Sequence, residues 1–475
     1  MPRRTKIVAT LGPASGSDEV IGSLIDAGMA VARLNLSHGS IETHIEIARR
    51  IRKLADERGK VVAVLADLPG PKIRTTTMGN EGIHYIDNSV VELCSGDSPS
   101  TSTTISTDYP NCAADLEVGD LVTLGDGGLD LLVIAVEGST VKARVMNGGT
   151  MRGRPGLHMP SERISLPVPT DEDRELIQSV VLPAEVDFVA VSFVRNAEEM
   201  KVVRDLVGIG GPRIVAKIET PTAIDNLDEI VAESDAVMVA RGDLGTECPF
   251  EDVPVYQKRI IQTCIAHAVP VITATQMLES MITASTPTRA EASDVANAVC
   301  DGTDAVMLSA ETAVGHDPAL VVRTMARIAE RAEIVADFER FARTIGPDRR
   351  IASITAALTH GAWQAAVDAR VSAIICCTRS GSTARSMATL RPDTKLLALA
   401  HDERTMRQEV LTWGVIPMPL PVSDNSDEMV ADAVRRVEAA GHVREGEVVA
   451  VLTGAPGISG STHVLRLLRV GQDWI

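Results

Sequence analysis

Short apolar runs recur along this chain. Each ends in polar or glycine residues and is followed by a segment whose apolar positions return at helical spacing. Eight such runs occupy Lys6–Leu11, Val31–Asn35, 61–68, 187–193, 213–219, 236–243, 270–276 and 305–311. Helix-like segments lie between most of them, at 18–27, 41–57, 171–181, 197–207, 254–268 and 318–330. Continuous apolar strands are buried on both faces, as in parallel sheets covered by helices. Eight alternating strand–helix units predict an α/β fold of the (β/α)8 TIM-barrel kind; a doubly wound open sheet fits that count less well.

The pattern is interrupted once. After Asp67 come Leu-Pro-Gly-Pro-Lys-Ile-Arg and then about a hundred residues rich in Thr, Ser, Gly and Val, with turn signals at 125–128 and 147–149. This stretch predicts a small β-barrel domain inserted in a barrel loop, placed where it can act as a lid that excludes water. Beyond about residue 340 the alternation restarts, with a helix at 353–368 and strands at 373–377, 395–400 and 448–452. The polar loops 378–383 and 453–461 follow strands of this second α/β unit, the usual ligand crevice of an open sheet. The predicted division is 1–70 and 168–340 for the barrel, 71–167 for the lid, and 341–475 for the carboxyl-terminal α/β domain.

Composition narrows the classes. Hydrophobic residues make up 45% of the 475 but aromatics only 2%, so the cores are aliphatic. A net charge of −18 argues against nucleic acid or an anionic membrane surface as partner, though not against an anionic substrate held by local cations. No apolar run reaches the ~18 residues of a membrane span. Seven cysteines without metal-ligand spacing fit a reduced, cytoplasmic protein. The basic start is followed by Gly12-Pro13, which cuts the apolar run short and marks a first strand, not a signal peptide.

Polar residues at the strand ends carry the candidate chemistry. Lys217 and Glu219 close the strand 213–219, and Arg241 and Asp243 close the next. An unpaired buried charge costs several kcal/mol, roughly, so each needs a partner: one another, a metal ion or a charged ligand. The barrel mouth also collects Arg33, Asn35, Ser37, His38, Asp67, Lys72, Arg74, Thr275, Gln276, Ser309 and Glu311. A purely structural ion network has no need to gather at one end. Glu219 and Asp243 suit Mg²⁺ or Mn²⁺, which keeps waters and takes remaining ligands from substrate. Arg33, Arg74 and Lys217 suit phosphoryl oxygens, and Gly242 suits close backbone approach to an anion. Thr275 taken alone reads more often as an ordinary strand-end residue than as a functional one, and His38 as an ordinary turn histidine. Metal and cations around an anion are the equipment of phosphoryl transfer.

The motifs that carry these residues resemble the pyruvate kinase family: Thr5-Lys-Ile-Val-Ala-Thr-Leu-Gly-Pro-Ala-Ser15, Ala32-Arg-Leu-Asn-Leu-Ser-His-Gly39, Ala216-Lys-Ile-Glu219, Met238-Val-Ala-Arg-Gly-Asp-Leu-Gly245, Ala274-Thr-Gln-Met-Leu-Glu-Ser-Met281 and Met307-Leu-Ser-Ala-Glu-Thr312. The resemblance implies phosphoryl transfer from phosphoenolpyruvate to ADP, giving pyruvate and ATP. It assigns Lys217 to the transferring phosphoryl group and Glu219 and Asp243 to the divalent metal. Arg33 would bind the substrate phosphate, and Gly242, Asp243 and Thr275 its carboxylate, with Thr275 near the carbon that is protonated. Arg74 and the turn Asn35, Ser37, His38 would face the nucleotide, and Ser309 a proton relay. A pyruvate or enolate lyase on the same barrel is the alternative; it needs the metal carboxylates but no nucleotide lid.

Two departures qualify the resemblance. The family's monovalent-cation site uses Asn35, Ser37, Asp67 and a threonine where this chain has Leu68, and potassium-dependent members carry glutamate in place of Lys72. The expectation is that Lys72 replaces potassium, so K⁺ is not required. Many members also carry a nucleotide-binding lysine where this chain has Pro155; Arg152 or Arg154 would take over. The carboxyl-terminal domain would be regulatory, with Thr378, Arg379, Ser380, Gly381, Ser382 and Thr383 holding a phosphorylated metabolite. Fructose bisphosphate, glucose 6-phosphate, ribose 5-phosphate and AMP all remain open. The resemblance also implies a homotetramer.

Overall fold

The computed structural model describes residues 3–125, 128–338, 353–454 and 462–472. Eight parallel strands close into a barrel in chain order: β1 (Lys6–Leu11), β2 (Val31–Asn35), β3 (Ala63–Asp67), β4 (Phe188–Val191), β5 (Arg213–Ile218), β6 (Ala236–Ala240), β7 (Val271–Ala274) and β8 (Ala305–Leu308). Side chains alternate across each strand. Val8, Leu65, Ala190, Val215, Met238 and Ile272 form the inner layer, while Ile7, Val64, Val189, Ile214 and Val237 pack with the surrounding helices. Lys217 lies two residues beyond Val215 and so shares the inner face, at the carboxyl end of β5.

Six of the eight strands, β3 to β8, are shorter than their sequence suggests, and the last three show it at their carboxyl ends. β6 stops at Ala240 and the chain turns into a helix at Arg241–Glu247; β7 stops at Ala274 and β8 at Leu308. After β6 the chain passes directly into helical conformation, and after β7 Thr275 and Gln276 take left-handed backbone conformations, with φ of 64° and 53°. The polar residues expected at strand ends therefore stand on the first turn beyond them.

The insertion is a six-stranded sheet in the order Leu157–His158, Leu121–Leu124, Leu129–Glu137, Thr140–Asn147, Val90–Ser95 and Thr104–Thr107, with a two-stranded companion. Residues 73–76 join its two edges: Leu157 N donates to Ile73 O (2.9 Å), Thr75 N to Pro155 O (3.0 Å) and Thr76 N to Ser106 O (2.8 Å). That closure satisfies backbone groups which a sheet edge would leave open. The lid has its own core, including Leu93, Ile105, Val122, Leu131 and Val141. It is tethered to β3 through Gly70, which adopts a φ of 66° and whose added Cβ would fall 2.7 Å from Ser192 Cβ.

The carboxyl-terminal sheet runs Val415–Pro419, Lys395–Ala400, Ala373–Thr378, Val448–Gly454 and Thr462–Arg469, the last strand antiparallel. Two of these strands escape the sequence reading, and both lie at edges. Pro417 and Pro419 read as strand breakers, yet an edge strand tolerates proline because its outward N–H has no partner to lose. Most of the loop 453–461, part of the turn 125–128 and the expected division at 340/341 lie outside the described residues. This domain seals the amino-terminal end of the barrel, where Val410 and Leu411 join the inner layer. Arg213, first residue of β5, donates there to Ser380 O (2.7 Å) and Glu409 Oε1 (2.8 Å). No described helix is long and apolar enough to cross a membrane.

Candidate active site

The mouth is organised around Lys217. Its Nζ donates to Ser192 Oγ (2.7 Å) and lies 2.9 Å from Glu219 Oε1 and 3.4 Å from Asp67 Oδ1. Asp67 in turn accepts from Arg33 Nε at 2.7 Å, and Arg33 Nη1 donates to Thr10 Oγ1 at 3.0 Å. Register explains the cluster: Asn35 pairs with Asp67 across β2 and β3, and Lys217 with Met238 across β5 and β6. Burial works against the Lys217 ammonium, but Asp67, then Glu219, then Asp243 outweigh it and hold its pKa above the ordinary lysine value. Burial also pushes the Asp67 carboxyl up, yet Lys217 and Arg33 together hold it below the usual range.

Glu219 Oε1 and Asp67 Oδ1 both lack a hydrogen-bond partner among the described residues, and of the two carboxyls only that of Glu219 is raised. Glu219 is fully buried, and its Oε2 accepts the Phe193 N–H at 2.6 Å. Its Oε1 is within ion-pair distance of Lys217 but lies off the hydrogen-bonding direction and has no hydrogen-bond partner. Burial first, and then the charge of Asp243 against the pull of Lys217, raise its carboxyl to about 7. A buried carboxylate oxygen without a hydrogen bond, beside a second carboxylate, is a costly arrangement that a cation relieves. Among the described residues no group of three or more ligating side chains converges. Glu219 and Asp243 therefore fit a hard divalent ion that takes its other ligands from water and substrate.

The remaining candidates fall into place unevenly. Gly242 N donates to Thr275 Oγ1 at 2.8 Å, so the start of the Arg241–Glu247 helix meets the end of β7. Ser37 N donates to Asn35 Oδ1 (3.2 Å), a turn stabilised by its own side chain, and His38 O accepts from His44 Nε2 (2.7 Å) while the His38 side chain is exposed. Leu68 is buried. Lys72 lies in the cleft between lid and barrel with His158, Phe193, Arg195 and Glu247, and it forms no ion pair with a described residue. The Arg74 backbone N–H donates to Asp108 Oδ1 (3.0 Å), and the Arg154 guanidinium reaches Asp108 Oδ2 (3.2 Å), so Asp108 ties the Arg154 side chain to the Arg74 backbone. Arg152 Nε instead faces Glu81 O (3.3 Å).

Two mouth residues turn out to have other partners. Glu311 accepts from Ser309 N (2.7 Å) and Leu278 N (3.1 Å), so its buried carboxylate ties two loops together. Arg241 pairs with Asp294 (2.7 Å) away from the cluster. Conversely, Thr10, Ser192 and the Phe193 N–H belong to the site although the sequence did not single them out. All three follow the same strand-end rule, at β1 and β4; a short hydroxyl or a backbone amide gives no charge signal.

In the carboxyl-terminal loop, Gly381 N donates to Thr378 Oγ1 (2.8 Å) and Ser380 Oγ to Ser382 Oγ (3.3 Å). Gly381 has a φ of 77°, and a Cβ there would collide with Glu409 Oε1, so only glycine fits. The Arg379 side chain is exposed, and Thr383 Oγ1 meets Thr462 Oγ1.

A closed (β/α)8 barrel with an inserted β domain, and with cations and carboxylates at its carboxyl-end mouth, defines an enzyme that works on an anionic substrate beside a divalent cation. Comparison with known proteins makes that class specific. Residues 2–322 match the family model "Pyruvate kinase, barrel domain", and residues 356–468 match "Pyruvate kinase, alpha/beta domain". The pyruvate kinase of Mycobacterium intracellulare is 41% identical over the full length of both chains. That of Corynebacterium glutamicum is 40% identical, covering 100% of this chain and 99% of its own. A crystal structure of a pyruvate kinase from Cryptosporidium parvum superposes with a TM-score of 0.92 at 33% identity, covering 98% of this chain and 96% of that one. The chain belongs to the pyruvate kinase family. The family is one of phosphotransferases that generally need a divalent metal, and the lyase alternative is not favoured.

Proposed function

We propose that this protein transfers the phosphoryl group of phosphoenolpyruvate to ADP, giving pyruvate and ATP in glycolysis, with the Lys217–Glu219–Asp243–Arg33 cluster as its active site. The observation that carries this reading is the buried, hydrogen-bond-free Glu219 Oε1 beside Lys217 and close to Asp243. Glu219 and Asp243 would hold Mg²⁺ or Mn²⁺, which would supply Lewis-acid neutralisation of charge on substrate oxygens. Lys217, kept protonated by its carboxylate neighbours, presents a fixed positive charge to the phosphoryl group in transfer. Arg33, oriented by Asp67 and Thr10, binds the substrate phosphate. Gly242, Asp243 and Thr275 meet the substrate carboxylate, and Arg74 with Asn35, Ser37 and His38 faces the nucleotide. Arg154, whose guanidinium pairs with Asp108 beside the Arg74 backbone, or Arg152 substitutes for the lysine missing at Pro155.

The domain division at 70/71, 167/168 and 340/341 belongs to the same proposal; separate aliphatic cores in the lid and the carboxyl-terminal sheet support it. So does a phosphorylated effector at Thr378, Arg379, Ser380, Gly381, Ser382 and Thr383, in a homotetramer. The seven cysteines are all free, in keeping with the reduced cytoplasm.

Potassium independence gives this reading a sharp test. Leu68 offers no oxygen ligand, and Lys72 lies in the cleft between lid and barrel with no ion pair to a described residue, which leaves its ammonium available to stand in for a bound cation. Turnover in buffer free of Na⁺ and K⁺ is expected to stay within about twofold of that at 100 mM KCl. The double variant L68T/K72E is expected to gain potassium activation of about tenfold or more, the scale of one lost charge contact. A parent rate that collapses without potassium and recovers on adding it would refute the assignment.

A further inference from the structure

Thr275 poses a conformational question that the reaction alone does not answer. A β-branched residue in the left-handed region is a backbone outlier, and here Gln276 shares that region. Such a conformation persists only where its surroundings over-determine it. The Thr275 hydroxyl donates to Ala274 O (2.7 Å), and a guanidinium binds the same stretch of backbone. Arg241 Nε donates to Ala274 O (3.1 Å) and Nη2 to Thr275 O (2.6 Å). Successive carbonyls of an extended strand point in opposite directions, so two of them reach one guanidinium only if residue 275 leaves the extended region.

The guanidinium is itself fixed. Its Nη1 donates to Asp294 Oδ1 (2.7 Å) and to Gln257 Oε1 (3.3 Å), and Gln257 is held by Asp301 (3.0 Å). The Arg241 side chain is only 10% exposed. On the opposite side of residue 275, Gly242 N donates to Thr275 Oγ1. Adjacent residues of one helical turn thus grip Thr275 from two directions, its carbonyl by Arg241 and its hydroxyl by Gly242, while Asp243 follows directly.

We propose that Arg241 is a positioning residue for turnover: its planar fork holds the Ala274 and Thr275 carbonyls so that the Thr275 hydroxyl stays in register with Gly242 and Asp243. The proposal rests on the reading of Thr275 as a substrate-facing residue. Lysine keeps the charge but not the fork, so it cannot hold both carbonyls.

The test is a double-mutant cycle on R241K and T275A, read as kcat and KM for phosphoenolpyruvate and as exchange of pyruvate methyl hydrogens with solvent deuterium. R241K is expected to lower kcat about 10–100-fold, the scale of an ångström-sized misplacement, with hydrogen exchange falling in parallel. R241K/T275A is expected to be no more than about twofold slower than T275A, because the first residue acts through the second. Q257A, which loosens the guanidinium but leaves Asp294 in place, is the milder variant; it is expected to give a smaller loss with the same non-additivity should R241K fold poorly. A slow T275A combined with multiplying effects, or an R241K with lowered stability and undiminished kcat, would overturn the positioning role alone. A T275A with normal kcat would overturn both this role and the assignment of Thr275 to the substrate.

Discussion

Lys217→Met is expected to lower kcat for phosphoryl transfer by about 10³–10⁵-fold, the loss seen when a single cation is withdrawn from a transferring phosphoryl group. The protein should still fold and bind metal. Methionine keeps most of the aliphatic stem that packs beside Val215, and Glu219 and Asp243 remain. What disappears is a positive charge that Asp67, Glu219 and Asp243 hold in place and in its protonated form. Asp67 keeps Arg33 as partner, so the variant does not leave that carboxylate buried and alone. Mn²⁺ binding followed by its paramagnetic signal, alongside stopped-flow phosphoryl transfer, separates the two properties. A variant that turns over within tenfold of the parent would remove Lys217 from the chemistry.

Glu219→Gln should produce the reverse pattern, with metal binding itself weakened by at least about 100-fold, since even a partner one bond-shell further out is worth 10–100-fold. The parent should also show a particular pH dependence. Its Glu219 carboxyl, raised to about 7 by burial and by Asp243, must lose a proton before a cation can take that oxygen. Protonation grows as pH falls through 7, so Mn²⁺ affinity is expected to fall below pH 7, by about tenfold per unit once the proton dominates. In E219Q the residual affinity should vary little over pH 6–8. Equal slopes in parent and variant would mean that Glu219 is not a ligand.

The barrel, the insertion and the order of the candidate residues were legible in the chain because each rests on a repeated physical signal. Apolar strands alternate with amphipathic helices, and charged residues at strand ends are too costly to be incidental. What escaped has equally physical reasons. Of the two edge strands, Val415–Pro419 is broken by prolines and Thr462–Arg469 interrupts its apolar residues with His463, Arg466 and Arg469. Thr10, Ser192 and the Phe193 amide carry no formal charge, so their part in orienting Arg33, Lys217 and Glu219 appears only in the folded geometry. Glu311 and Arg241 carried the charge signal at strand ends but both bond backbone groups of the turn after β7, Glu311 the Leu278 N–H and Arg241 the Ala274 and Thr275 carbonyls. Sequence position brings a residue to the mouth; the rotation of the turn beyond the strand decides whether it faces the site.

The most direct test is a single reaction: purified protein with phosphoenolpyruvate, ADP and Mg²⁺, and with pyruvate and ATP measured together over time. Equimolar pyruvate and ATP, both abolished by removing the divalent ion, is the expected result. Pyruvate without ATP, or neither product, would contradict phosphoryl transfer at this site.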